Sequence, residues 1–510
     1  MDTTDLSNLV GRLERQSDHA PRIYVAKVAV VAALGYACVA LVAVLILVSA
    51  CFMIESLLSQ GRPYASSLLG LIGGIAILVA VVRALWVHVE EPDGREISRE
   101  EAPALFAALD EITQKMAAAT LRKPRGKSRT VSFDTVRLNR EFNAGISQIP
   151  RWGVFGNYRN HLQIGVPVMT ALNIAEFKAV LAHEIGHLGR EDNRFSACIY
   201  RQRMTWQRLQ RKFDESATVA EQILATFYSW YAPYFCAYTF VLARDHEYTA
   251  DRLAAQATNS RVLARALTKL ELAGRFLSEV FWKRLFDQVE KVAEPHYLPY
   301  TMMPRAFDVA QKEWLRKDWL QASLRAFATD GDTHPSLAER LAALDVPPEL
   351  PSHSADASAL ALLGTDHAAV LKWCDTQWEQ ENVAAWRKRH DAIREARWKL
   401  AQYESTPATE LQAEAIWEKS ILLLDLGQDQ DAIEALQVLV ARADALPKAH
   451  LQLGKLLLEY GDEHGLQNLT LAGQKDPELL ETAGQVGYSY LMDRGRRGEA
   501  QRFWERLRAG

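Results

Sequence analysis

At 510 residues, with 49% hydrophobic and 24% charged residues, the chain is long enough for about three domains and too apolar to be disordered throughout. A net charge of −4 excludes a dedicated nucleic-acid binder, which needs a net basic domain, so no nucleic-acid partner is expected. The five cysteines include no CxxC pair, which gives neither a disulfide framework nor a cysteine-built zinc site and fits a reducing compartment.

Residues 1–27 form a tail that carries Arg12, Arg15, Arg22 and Lys27. From Val28 to Ile54 no residue is charged, a run longer than the roughly 20 residues that cross hydrocarbon. It is also too long for the apolar stretch of a cleaved signal peptide. After the polar turn Glu55 to Arg62, a second uncharged run extends from Pro63 to Val82 and on through Arg83 to Trp86. A transmembrane helical hairpin over residues 28–88 is therefore expected, with a buried hairpin of a soluble protein as the competing reading. The turn carries only Arg62, so the positive-inside bias places the tail, and everything after Glu90, on the cytoplasmic side of a cell inner membrane.

Strand-like spacing follows at Val131, Phe133 and Val136 and again at Leu162, Ile164 and Val166, predicting a small sheet. Residues 173–190 read NIAEFKAVLAHEIGHLGR. Asn173 and Glu176 stand in capping-box spacing, and Ile174, Phe177, Val180, Leu181, Ile185 and Leu188 recur at helical intervals, which predicts a helix with one buried face. On it, His183 and His187 lie one turn apart and can bind one Zn²⁺, with Glu184 beside them as a candidate general base. A catalytic zinc keeps three protein ligands and leaves the fourth position to water, so a further ligand is required from another element. In RDHEYTADRLAAQA, from Arg244, Glu247 and Asp251 fall one turn apart on a helix rich in small residues. Glu247 can reach the metal while Asp251 accepts a hydrogen bond from a ligand imidazole. An ordinary solvated charged face is the bland alternative for this segment.

These motifs, FKAVLAHEIGH, EYTAD and THPSLAER at 333–340, in that order, resemble the HtpX and CAAX prenyl protease family of membrane-associated zinc endopeptidases, which are gluzincins. The resemblance covers roughly residues 90–345 and implies a zincin-type α+β domain with a small sheet. It implies one Zn²⁺ per chain held by His183, His187 and Glu247, with Glu184 as catalytic base and Asp251 behind the ligands. It further implies His334 and Arg340 as stabilisers of the tetrahedral intermediate, His334 also binding the metal in a resting state. Asn143 and Ala144 match the family's edge strand, onto which an extended substrate adds. The chain departs from the prenyl proteases, which enclose their site in a chamber of many membrane helices.

A third uncharged run, Gln222 to Ala243, cannot cross the membrane, because a single crossing would part His187 from Glu247. It is expected to be a core helix or an aromatic segment resting on the lipid surface. Residues 346–405 read as a helical linker with Trp373, Trp378, Trp386 and Trp398. In the last part, 406–510, Gly427, Gly461 and Gly495 are spaced by 34 residues, and Ala432, Leu466 and Ala500 repeat that interval, which is the tetratricopeptide period. Gly454 and Trp504 fit packing positions of such repeats, and Ser420 stands where a glycine is usual.

The fold class expected is mainly α: a two-helix membrane anchor, the metallopeptidase domain over 90–345, and a carboxyl-terminal α-solenoid. The function expected is a membrane-anchored zinc metalloendopeptidase that hydrolyses protein or peptide substrates, by resemblance in membrane-protein quality control. Its partners would be the lipid bilayer and proteins bound by the repeats. The alternative is an interaction scaffold or chaperone with a structural zinc, which has no need of Glu184.

Overall fold

The computed structural model describes residues 3–60, 92–120, 131–150, 158–188, 219–326, 335–351, 356–404, 406 and 411–509. These are mainly helical with one four-stranded sheet, and the chain divides into two compact units, residues 1–283 with 297–377 and residues 284–296 with 378–510.

The first unit begins with α1 (Thr3–His19) and α2 (Pro21–Gln60). The expected two-helix membrane anchor is corrected here: among the described residues no helix is long and apolar enough to cross a membrane. The physical reason is visible at the start of α2. Tyr24, Val28 and Ala32, spaced by one turn each, are buried with Val10 and Leu13 of α1 against Tyr231, Phe235, Phe240 and Val241. Val28 and Ala32, at the start of the run read as lipid-facing, thus build protein core, while Leu34, Leu41, Val44, Val48 and Phe52 further along are exposed. The Tyr231 hydroxyl donates to the Val31 carbonyl at 2.8 Å, and the Tyr24 hydroxyl donates to the carbonyl of Tyr238. The second expected span, 63–86, lies outside the described residues.

Strand β1 (Arg95–Glu96) precedes α3 (Pro103–Thr120), and β2 (Thr135–Asn139), β3 (Ala144–Pro150) and β4 (Tyr158–Gly165) complete the sheet in the order β1-β2-β4-β3. β2 runs parallel to β4, β3 is antiparallel to β4, and β3 is an edge strand. The buried alternation is Val136 and Leu138 beside Leu162 and Ile164. Val131 and Phe133 precede β2, and Val166 opens α4 (Val166–Ala171) instead of extending β4. Pro167 explains that turn, since its fixed φ and missing N–H suit the first turn of a helix and would break a strand ladder.

Helix α5 (Ile174–Gly186) starts at a capping box: the Asn173 side chain accepts from the Glu176 amide at 2.9 Å, and Glu176 accepts from the Asn173 amide at 3.0 Å. Helix α6 (Val219–Ala257) contains the whole aromatic run and passes through Pro233; Tyr231 and Phe235 are core while Trp230 and Tyr234 are exposed. Helix α7 (Ser260–Phe276) sends Arg265 and Lys269 to the fully buried Glu176 at 2.8 and 2.9 Å, so both carboxylate oxygens of the cap are also ion-paired. With Lys178 of α5 paired to Glu111 of α3, α5 is tied to neighbours at its amino-terminal end. Helix α8 (Leu337–Ala343) has its own capping box, between Ser336 and Glu339.

The second unit takes in the long helix α9 (His367–Glu404) from Trp378 onward. Trp378, Trp386 and Phe286 form an aromatic cluster with ring centroids 6.2 to 6.3 Å apart, and the Trp386 indole donates to the Val292 carbonyl at 3.0 Å. Three helical hairpins follow: α10 (Ala413–Asp425) with α11 (Asp429–Val440), α12 (Pro447–Glu459) with α13 (His464–Lys475), and α14 (Leu480–Asp493) with α15 (Arg497–Ala509). Gly427, Gly461 and Gly495 end the first helix of each hairpin at φ of 71°, 80° and 72°. The same Schellman bonds close each turn, Gln428 to Leu423, Asp462 to Leu457 and Arg496 to Leu491 at 2.8 to 2.9 Å. The interval of 34 residues is thus the interval of a backbone conformation that favours glycine.

Candidate metal centre

Both ends of the centre are set by helix geometry. His183 lies in the last turn of α5 and His187 just beyond its end, their rings 4.7 Å apart and nearly perpendicular at 84°. Glu247 and Asp251 project from α6, which crosses α5 at Gly186. A Cβ on Gly186 would sit 3.0 to 3.3 Å from the Cα, Cβ and carbonyl oxygen of Ala250, so the helices touch backbone to backbone where the ligands must meet. The sequence displays both small residues but not that they face each other.

The donor atoms form a compact triangle. His183 Nε2 and His187 Nε2 are 3.2 Å apart, and the two Glu247 oxygens lie 3.4 Å from one and the other nitrogen. For a tetrahedral zinc with bonds of about 2.0 to 2.1 Å, the edge between donors is roughly 3.3 Å, which the two imidazole nitrogens match, and each nitrogen has a different Glu247 oxygen at a similar distance; two imidazoles and a carboxylate are a donor set that fits the ion. His183, His187 and Glu247 are the described group that can hold a metal. The side chains of His183 and Glu247 are each 8% exposed and that of His187 is 32% exposed, so solvent meets the cluster on the His187 side.

Behind the triangle, Asp251 is buried and takes the His183 Nδ1 at 2.8 Å. Arg340 of α8 grips the same carboxylate with two bonds, Nε to Oδ2 at 2.8 Å and a terminal nitrogen to Oδ1 at 2.6 Å. Burial alone would raise the Asp251 pKa, but the bonds from Arg340 and His183 outweigh it and hold the carboxyl below its ordinary value. For His183, burial opposes charge, while hydrogen bonds to Asp251 and Glu247 push the metal-free ring up to about 9.

Glu184 follows His183 on α5, is half-buried, and lies near enough to act electrostatically on both His183 and Arg340. Asn143 and Ala144 stand at the start of β3, which packs beside α5; Ala144 pairs with Ile164, and the Asn143 carbonyl accepts from the Gly165 amide at 2.8 Å. Gly165 is required there, since a Cβ would fall 1.9 Å from the Glu141 carbonyl oxygen. His334 lies outside the described residues. The structure thus brings together His183, His187, Glu247, Asp251 and Arg340, with Arg340 engaged by Asp251.

Residues 154–347 match the model of peptidase family M48, a stretch that takes in α5, α6 and α8. The match supports the M48 metallopeptidase family and, with it, a hydrolase of protein or peptide substrates. M48 peptidases are typically zinc-dependent, in keeping with the donor triangle. A comparison with curated proteins finds no match.

Proposed function

We propose that the chain is a zinc metalloendopeptidase that cuts protein substrates at the centre held by His183, His187 and Glu247, and that its helical hairpins are tetratricopeptide repeats that recruit or position those substrates. The observation that carries this reading is the cluster of His183, His187 and Glu247, the two imidazole nitrogens 3.2 Å apart and each 3.4 Å from a Glu247 oxygen, with a carboxylate, Glu184, on the helix that supplies the two histidines.

Zinc bound to these three donors supplies Lewis acidity, lowering the pKa of a water and polarising a peptide carbonyl. Glu184 takes the proton of the attacking water and hands it to the departing amine. Asp251 fixes His183 in the tautomer whose Nε2 faces the metal, and Arg340 holds Asp251 ionised. An extended peptide added to the open edge of β3, beside Asn143 and Ala144, would lie along α5 and bring its carbonyl to the centre with little sequence selection. For the repeats, the support is the 34-residue recurrence of one left-handed glycine turn. By resemblance to HtpX-type enzymes, the role is removal of damaged protein.

The test is cleavage of an unfolded model protein by the zinc-loaded chain beside Glu184→Gln at equal metal content. The parent is expected to cut, with the variant slower by about 10²- to 10⁴-fold. If neither cuts while both hold one zinc, the peptidase reading falls and a scaffold with a structural metal takes its place.

A further inference from the structure

Arg244 lies one turn before Glu247 and two before Asp251, on the same face of α6. Its side chain is 13% exposed and is held from several directions. It bonds Glu14 of α1 at 3.2 Å, forms an ion pair with Glu339 of α8, and stands 5.6 Å from the centre of the Phe240 ring. Glu339 immediately precedes Arg340 and is the acidic member of the capping box that starts α8, taking the Ser336 amide at 2.8 Å.

Two ionic rungs therefore join α6 to α8, and their polarity is reversed. In one, α6 gives the arginine and α8 the acid, Arg244 to Glu339; in the other, α6 gives the acid and α8 the arginine, Asp251 to Arg340. Exchanging partners would set arginine against arginine and acid against acid, so the two rungs admit a single register between the helices. That register decides where Arg340 meets Asp251 and, through Asp251, how the His183 ring is turned. Glu14 brings the amino-terminal helix into the same set of contacts, more than two hundred residues away in sequence.

We propose that Arg244 is a positioning residue of the metal centre, keeping the helix of Glu247 and Asp251 in register with the helix of Arg340 and making α1 part of that assembly through Glu14. The proposal rests on the metallopeptidase reading above for the metal, and its principal readout does not depend on catalysis.

The experiment titrates the metal-stripped full chain with Co²⁺, followed by visible absorption, for the parent, Arg244→Met, Arg244→Lys and Glu14→Gln, with thermal melts and turnover of an unfolded protein measured on each. Arg244→Met is expected to weaken cobalt binding about tenfold, to alter the visible band, and to lower kcat with KM little changed. Arg244→Lys, which keeps the alkyl stem and one charge for Glu339, is expected to recover most of the affinity. Glu14→Gln is expected to weaken binding a few-fold. Arg244→Met that takes up cobalt with parental affinity and spectrum overturns the proposal, however far its melting temperature falls. Should that variant fail to fold, parental affinity and spectrum in Glu14→Gln overturns it instead. A parent that binds cobalt but cuts no protein sinks the peptidase reading alone, because the cobalt comparison then still decides on Arg244.

Discussion

Asp251 answers to two partners at once, the His183 imidazole and the Arg340 guanidinium, with its side chain 1% exposed. Replacing its charge separates two effects. In Asp251→Asn, Arg340 keeps its charge at a largely buried site without its carboxylate, a situation that costs about 3 to 5 kcal/mol when a buried pair is broken. The same change replaces the anionic acceptor that sets the His183 tautomer with a neutral amide that can turn either its oxygen or its NH2 to the ring, for which about 10- to 100-fold weaker metal binding is expected. Both should be seen together, by denaturant unfolding of the metal-free chain and by zinc competition with a chelating dye. Stability loss with intact affinity would place Asp251 in the fold alone. The spacing of Asp251 from Glu247 made it legible in sequence; its grip by Arg340, 89 residues away, was not, because the family motif brought Arg340 to notice in another role, as a stabiliser of the tetrahedral intermediate.

At the scale of elements, the crossing of α5 and α6 is the feature on which the ligand triangle depends. Gly186→Ala tests it with opposing terms. Alanine favours a helix over glycine by roughly 1 kcal/mol, whereas overpacking a close contact costs typically 1 to 3 kcal/mol. Here the new methyl meets the Ala250 backbone at 3.0 Å, which cannot swing aside as a side-chain tip can, so the packing cost should win. The variant is expected to lose about 1 kcal/mol of stability and to bind zinc at least several-fold more weakly, checked by the same titrations. A stabilised variant with parental affinity would mean that the helices have room to spare. Local signals were readable at this scale: the capping box, the apolar face of α5 and the two histidines one turn apart are all set by neighbours within four residues. Partner choice was not. The run from Val28 looks identical whether its turn-spaced face meets lipid or the aromatic face of α6, and for its first turns the packing of Tyr24 and Val28 with Tyr231 and Phe235 decides. The position of Pro167 carried the signal that would have ended β4 at Gly165.

For the molecule as a whole, the three residues that could hold a metal all lie in the first unit, while the glycine-turned hairpins make up most of the second. A ligand that binds only the folded state stabilises it by RT ln(1 + [L]/Kd), about 2.7 kcal/mol at a hundred times Kd. Stripping the metal with a chelator should therefore lower the melting transition of the unit that contains α5 and α6 and leave that of the hairpins in place. Gly461→Ala should do the reverse, because a Cβ in the left-handed region at φ 80° costs on the order of 1 kcal/mol and lies in the second unit. Calorimetry of the parent and this variant, each with and without chelator, gives four curves. Two transitions that respond separately, one to metal and the other to Gly461, are the expected pattern. A single transition that answers equally to both would mean that the units unfold together, so that loss of metal destabilises the hairpins as well.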